Sequence, residues 1–523
     1  MPAVAALAMT GGEAVVQALG AHGVELVFGI PGTHTLPIHR HLAACGIRHV
    51  TPRHEQGGGY AADGYARVSG RPGVVLATSG PGVINAATAA ATAYADSVPM
   101  LVLSPAMPTD VQGRDTGFLH EGKDQGAAMD ALVAWSRRAG SPAEAAAAID
   151  DAFAHFAAGR PRPVHVEVPV DVLGSSGEVA IGKPVRPAAA TPGVDHAAAL
   201  LAEAERPALV LGGGARGASD ASLRLGVPVL TTVNGKGIVD ERHELSLGAS
   251  IRLRAAQDWL ASRDVIVAVG TELGESDLWG PMPELGGRLI RVDVDPAQLH
   301  KNAPADVVVL GDARAVLERL PARAGGEDLS AVREAIRAEA LADGAPWLDL
   351  VAALDETLGP DGILAGDSTM AAYYGAVHFL PMGPARRFIY PTGYATLGYA
   401  VPAAIGARLA APERPAIALV GDGGLLFTVG ELATAAELGL PVPILLWNNQ
   451  GYGEIKTYMA EKDIPQIGVD IFTPDFVAIA QGFGCAAERA GSLEHLREAL
   501  EAGRGRIVPT LIEIREDAPW LAA

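Results

Sequence analysis

Residues 415–452 read PAIALVGDGGLLFTVGELATAAELGLPVPILLWNNQGY, and the fold turns on how this stretch is parsed. PAIALV is an unbroken apolar run of strand length, and GDGG is the turn that ends it. LLFTVGELATAAELG has helical spacing and stops at Gly439. VPILLW is the next apolar run and ends on Asn448 and Asn449. Strand, helix and strand make one βαβ unit, whose two strands lie parallel. Asp422 and Asn449 then stand at the carboxyl ends of neighbouring strands, the edge where open α/β sheets bind ligands. Gly421, Gly423 and Gly424 allow close backbone approach and present N–H groups at a helix start, which suits an anion. A carboxylate and an amide oxygen are hard ligands for Mg2+, whose octahedron phosphate oxygens and water complete. The stretch reads as a clamp for Mg2+ and a diphosphate.

The same alternation fills the chain. Residues 1–172 carry the runs GVELVFGIPG, PGVVLATSGPG, VPMLVLSP and PVHVEVPVDV between Ala-rich helical stretches. Residues 173–192 are rich in Gly, Ser, Pro and Ala without period and read as a linker. Residues 193–325 and 345–523 resume the alternation, and the first and third segments share a rhythm. The expected fold is α/β, with three doubly wound parallel-sheet domains. A net charge of -20 argues against nucleic acid or an anionic membrane as a general partner. Cys45 and Cys485 share no metal-ligand spacing, so a reducing cytoplasm is the expected location. The amino-terminal stretch lacks a basic region and reads as a helix start, and no apolar run is long enough to span a membrane.

GDG, 24 residues and then NN resembles the diphosphate-binding motif of thiamine diphosphate (ThDP) enzymes. The resemblance implies that Asp422, Asn449 and the backbone carbonyl of Gly451 hold Mg2+, with Tyr452 beside the cofactor. It also demands a glutamate in the first domain, and Glu55 fits, following IRHVTP and opening EQGGGYAADGYAR. A carboxyl group on the pyrimidine N1′ favours the imino tautomer that deprotonates the thiazolium carbon. VFGIPGTHTLPI, TSGPGVINAATAAATAYADSVPML, LIRVDVDPAQL and YPTGYATLGYAVPAAIGA extend the resemblance over nearly the whole chain, towards the acetolactate synthase-like branch. The implied domains are pyrimidine-binding, central and diphosphate-binding. Leu397 matches the apolar wedge that bends the cofactor, backbone groups of Ala395 and Leu397 meet the pyrimidine, and Asp367 and Ser368 neighbour the diphosphate. In that family the first domain of one subunit faces the third domain of its partner. A homodimer is therefore the minimum, and a homotetramer is expected.

Departures from the synthases fall where substrate is expected. Their Phe-Gln-Glu trio is replaced by Phe118-Leu119-His120-Glu121, and the Lys closing their first domain by Val170. NNQGYGEIK replaces their sequence after the metal loop, and the middle domain lacks their Arg-rich flavin stretch, so no FAD is expected. These segments resemble 2-oxo acid decarboxylases close to 5-guanidino-2-oxopentanoate decarboxylase. The implied reaction is non-oxidative decarboxylation through an enamine. The alternatives are an acetolactate synthase-like carboligase and a flavin-linked oxidoreductase of the pyruvate oxidase kind. Glu454 and Glu121 are candidate ligands for a cationic side chain. His34 and His120 are candidates for holding the substrate carboxylate or delivering a proton.

Overall fold

The computed structural model describes residues 6–182, 191–323 and 326–521. Three parallel sheets organise the chain. Numbered in chain order within each sheet, the six strands of the first sheet are arranged 2-1-3-4-6-5: Arg48–Val50, Leu26–Phe28, Gly73–Leu76, Met100–Ala106, Val164–Pro169 and Ser136–Arg138. The third sheet repeats that order with Arg387–Ile389, Ile363–Gly366, Ala416–Gly421, Pro443–Asn448, Thr510–Arg515 and Ala486–Arg489. The middle sheet has five strands in the order 2-1-3-4-5. Central strands such as Ala416–Gly421 and Met100–Ala106 are nearly continuous apolar runs because helices cover both faces of the sheet. Among the described residues, no helix is long and apolar enough to cross a membrane. Cys45 and Cys485 are free thiols.

Two details differ from the sequence reading. The stretch read as a linker contains the end of a helix, Val170–Gly174, and a strand, Ser176–Val179, paired antiparallel with Leu7–Thr10. Its residues 183–190 lie outside the described residues. The stretch read as one helix ending at Gly439 is two, Asp422–Thr428 and Glu431–Glu437. The break is a contact between domains: a Cβ on Gly430 would stand 3.2 Å from the Arg53 side chain.

The first and third domains meet along helices Glu55–Ser69 and Ala400–Ala410. Small residues bring the backbones together, because a Cβ on Gly64 would lie 2.2 Å from the Ala403 carbonyl oxygen and one on Gly406 1.8 Å from that of Ala61. Tyr60 and Tyr399 cross edge to face at 5.5 Å. Beyond them, Tyr399 donates to buried Asp63, and Arg67 bridges Asp63 at 2.6 Å and Asp96 at 2.8 Å. Asn234 of the middle domain donates to Asp96 at 3.0 Å, so one polar cluster ties three domains.

Candidate active site

Asp422 follows the last residue of its strand and opens a helix, as the βαβ parsing requires. Burial pushes its carboxyl pKa up, and Oδ2 is buried without a hydrogen-bond partner. The Asn449 amide oxygen faces the Gly451 carbonyl oxygen at 2.9 Å and Asp422 Oδ1 at 3.0 Å. Reversing the amide would turn both contacts into hydrogen bonds; in the present orientation the amide oxygen faces two other oxygens, an arrangement that a cation between them would favour. Adjacent oxygens of an octahedron with metal–oxygen bonds of about 2.0–2.1 Å are about 2.8–3.0 Å apart. The spacing therefore fits a small hard cation.

The glycines here serve packing as well as ligand approach. A Cβ on Gly423 would meet the Tyr452 ring at 2.7 Å, and one on Gly424 would meet Asp367 Oδ1 at 3.0 Å. Asp367 itself is fully buried and does not line the pocket that holds the clamp. It accepts from the N–H groups of Ser368, Gly398 and Ala400 at 3.0, 3.1 and 3.0 Å, which fixes the turn carrying Leu397. Burial raises its pKa to about 6. Ser368, Ala395, Leu397, Gly421, Asp422, Gly423, Gly424, Asn449, Gly451, Tyr452 and Glu454 all line one pocket of about 550 Å³. Ala395 holds a left-handed φ of 48°, and Leu397 is half-buried at the wall.

The first domain carries a second constellation. Glu55 is 7% exposed and accepts from Asn85 Nδ2 at 3.0 Å. The loop before it is clamped by a residue the sequence did not single out, Glu431 of the third domain. Its buried carboxylate accepts from the N–H groups of Arg53 at 2.9 Å and His54 at 3.0 Å, and from Thr434 at 2.7 Å. His34 Nδ1 meets Ser79 Oγ at 2.6 Å, and its ring crosses that of His120 at 5.2 Å. Burial and His120 lower the His34 pKa. His120 has φ 65° and a buried, unpartnered Nδ1. Glu121 is committed to its own loop, where Oε2 accepts from Thr116 and Phe118 N–H groups, both at 2.9 Å.

Every residue lining the Asp422 pocket comes from position 233 onward, so Glu55, His34 and His120 do not line it. Each constellation sits on its own domain, beside exposed apolar residues: Leu36 and Ile84 near the first, Leu426 and Phe427 near the second.

Two sheets of identical order, one presenting a buried glutamate and the other an oxygen clamp, define an enzyme built to hold a diphosphate cofactor between domains. The chain matches the descriptions "Thiamine pyrophosphate enzyme, N-terminal TPP binding domain" over residues 9–128, "central domain" over 194–320 and "C-terminal TPP binding domain" over 365–514. It belongs to the thiamine pyrophosphate (ThDP) enzyme family. The chain is 44% identical to "Probable 2-ketoarginine decarboxylase AruI" of Pseudomonas aeruginosa, over 97% of this chain and 94% of that protein. It is 33% identical to "Probable acetolactate synthase large subunit" of Methanocaldococcus jannaschii, over 97% and 92%. To "Acetolactate synthase large subunit" of Corynebacterium glutamicum it is 32% identical, over 95% and 85%.

Proposed function

We propose that this enzyme decarboxylates a 2-oxo acid with a cationic side chain, using ThDP and Mg2+, in an assembly of at least two copies. The observation that carries the substrate class is Glu454, a carboxylate that lines the same pocket as the clamp and lies on its own helix, Gly453–Glu461. The name of the Pseudomonas relative supports it.

When bound, ThDP supplies the carbon nucleophile and the electron sink for loss of CO2. The chain's own groups do the rest. Asp422, Asn449 and the Gly451 carbonyl would hold Mg2+. Leu397 and the backbone of Ala395 position the pyrimidine. Glu55, oriented by Asn85 and by the Glu431 clamp on its loop, is the group that would exchange a proton with the pyrimidine of the bound cofactor. His34, fixed through Nδ1 by Ser79, and His120 hold the substrate carboxylate and deliver the proton that releases an aldehyde. A second copy is needed because Glu55 does not line the Asp422 pocket of its own chain. The exposed apolar residues beside both constellations support that pairing.

A product assay tests the reading. The purified enzyme with ThDP and Mg2+ meets pyruvate, branched 2-oxo acids and 5-guanidino-2-oxopentanoate, with CO2 and organic products both identified. One aldehyde per CO2, fastest from the guanidino acid, is expected. A 2-hydroxy ketone as the main product would instead make it a carboligase, the activity suggested by the names of the synthase relatives.

A further inference from the structure

Tyr373 and Tyr374 lie on a π-helical turn, Ala371–Ala376. Such turns are rare and concentrate at functional sites, because they re-aim side chains that an α-helix would splay apart. Here Tyr374 reaches the Glu454 carboxylate while Tyr373 lines the same pocket as Glu454. Tyr374 OH donates to Glu454 Oε1 at 2.8 Å, and burial together with Glu454 raises the pKa of Tyr373, Tyr374 and Tyr458. The rings form walls: Tyr373 and Tyr374 cross at 4.7 Å, and Trp279 from the middle domain crosses them at 5.6 and 5.7 Å. Trp279 is held there with φ 53° and stays 42% exposed.

The fold already shows what these faces accept. The Arg252 guanidinium lies 4.4 Å from the Trp279 centroid and 5.3 Å from that of Tyr374. Its Nε donates to His378 at 2.8 Å, and its Nη2 has no partner. Apart from Asp422, the charged residues lining the pocket are Glu275, Glu454 and Arg252. Arg252 also faces Asp343 and Glu339, so carboxylates outnumber cations in and around the pocket, which suits a ligand cation.

We infer that Glu454, with Tyr373, Tyr458 and Trp279 of the same pocket wall, forms a subsite for a guanidinium at the far end of the 2-oxo acid. The inference rests on the decarboxylation of a cationic 2-oxo acid proposed above. A guanidinium is planar and carries five donors, so it can stack on aromatic faces while its edge meets a carboxylate. The Tyr373 and Tyr458 phenol oxygens carry lone pairs that serve as further acceptors. Tyr374 is a positioning residue, setting the carboxylate's orientation from behind.

The test compares kcat and KM for 5-guanidino-2-oxopentanoate and its neutral isostere 5-ureido-2-oxopentanoate in wild type, Glu454→Gln and Tyr374→Phe. Wild type should prefer the guanidino acid. Glu454→Gln should cut that preference at least about tenfold, chiefly through KM, the scale of a charge-assisted hydrogen bond. Tyr374→Phe keeps the ring and should give a smaller loss in the same direction. ThDP affinity, read by tryptophan fluorescence, reports that the pocket still assembles in each variant. A wild type indifferent to the guanidinium overturns the proposed substrate class and the subsite with it. A wild type that selects the guanidinium while both variants keep its selectivity overturns the subsite alone.

Discussion

Glu55 and Asp422 are both buried carboxylates, yet their surroundings differ in the way the two proposed roles require. Glu55 has one side-chain donor, Asn85, and a loop fixed by Glu431. Glu55→Gln is expected to retain ThDP and Mg2+ binding while turnover falls about 10²–10⁴-fold, the range of a proton-transfer group. Undiminished kcat in that variant would remove Glu55 from the mechanism. Asp422 Oδ1 faces the Asn449 amide oxygen, and Oδ2 has no hydrogen-bond partner. Asp422→Ala should weaken Mg2+-dependent ThDP binding by about 3 kcal/mol, as when one partner of a buried charge pair is lost. Titrations with and without Mg2+ check this, and equal affinities in wild type and variant would contradict the clamp. Both residues were legible in the sequence because each sits in a local motif. Glu431 was not, since its partner Arg53 is 378 residues away and GELATAAELG reads as an ordinary helix. Tyr374 was hidden likewise, 80 residues from Glu454.

The elements that decide the site are helices whose sequences reveal their contents better than their contacts. EQGGGYAADGYAR announced a helix packed with small residues, but not that its partner would be Ala400–Ala410 from the far end of the chain. The packing there is close enough to be sensitive to one methyl group. Gly406→Ala should destabilise the enzyme by roughly 1–3 kcal/mol, because the new Cβ would overlap the Ala61 carbonyl. Thermal unfolding measures it; an unchanged midpoint would show that the helices separate at little cost. Interior strands were legible as apolar runs, since both faces are covered. Edge strands such as Ser136–Arg138 and Ala486–Arg489 were not, because they are short and polar. The π-helical turn has no signature in composition: AAYYGA would serve equally well in an α-helix.

At the scale of the whole molecule, the identical order of the first and third sheets gives structural form to the shared rhythm in the sequence. The sequence did not show the charged cluster through which three domains meet, because Asp63, Arg67, Asp96 and Asn234 have no common motif. Buried histidines add a global pH response. His165, enclosed by Ser104 and Ser136, has its pKa lowered to about 3 by burial, and His49 is lowered to about 4 by burial and by His39. Unfolded, both would take up protons near pH 6.5, whereas folded they stay neutral. Their stabilisation is thus complete above that pH and is lost as pH falls towards 4. Each can contribute roughly 1.4 kcal/mol of loss per pH unit within that window. Thermal midpoints measured from pH 7 to pH 5 should fall steadily, and a flat profile would mean that these histidines charge without opening the fold. The separation of Glu55 from the Asp422 pocket has a different kind of consequence. In the proposed pairing, a chain carrying Glu55→Gln and a chain carrying Asp422→Ala damage opposite halves of each site. When two such inactive chains associate, both lesions fall in one site and the other is left intact. Random exchange between equal amounts of the two dead proteins should therefore restore about a quarter of the wild-type sites in a two-fold dimer, so that activity appears on mixing where neither parent has any.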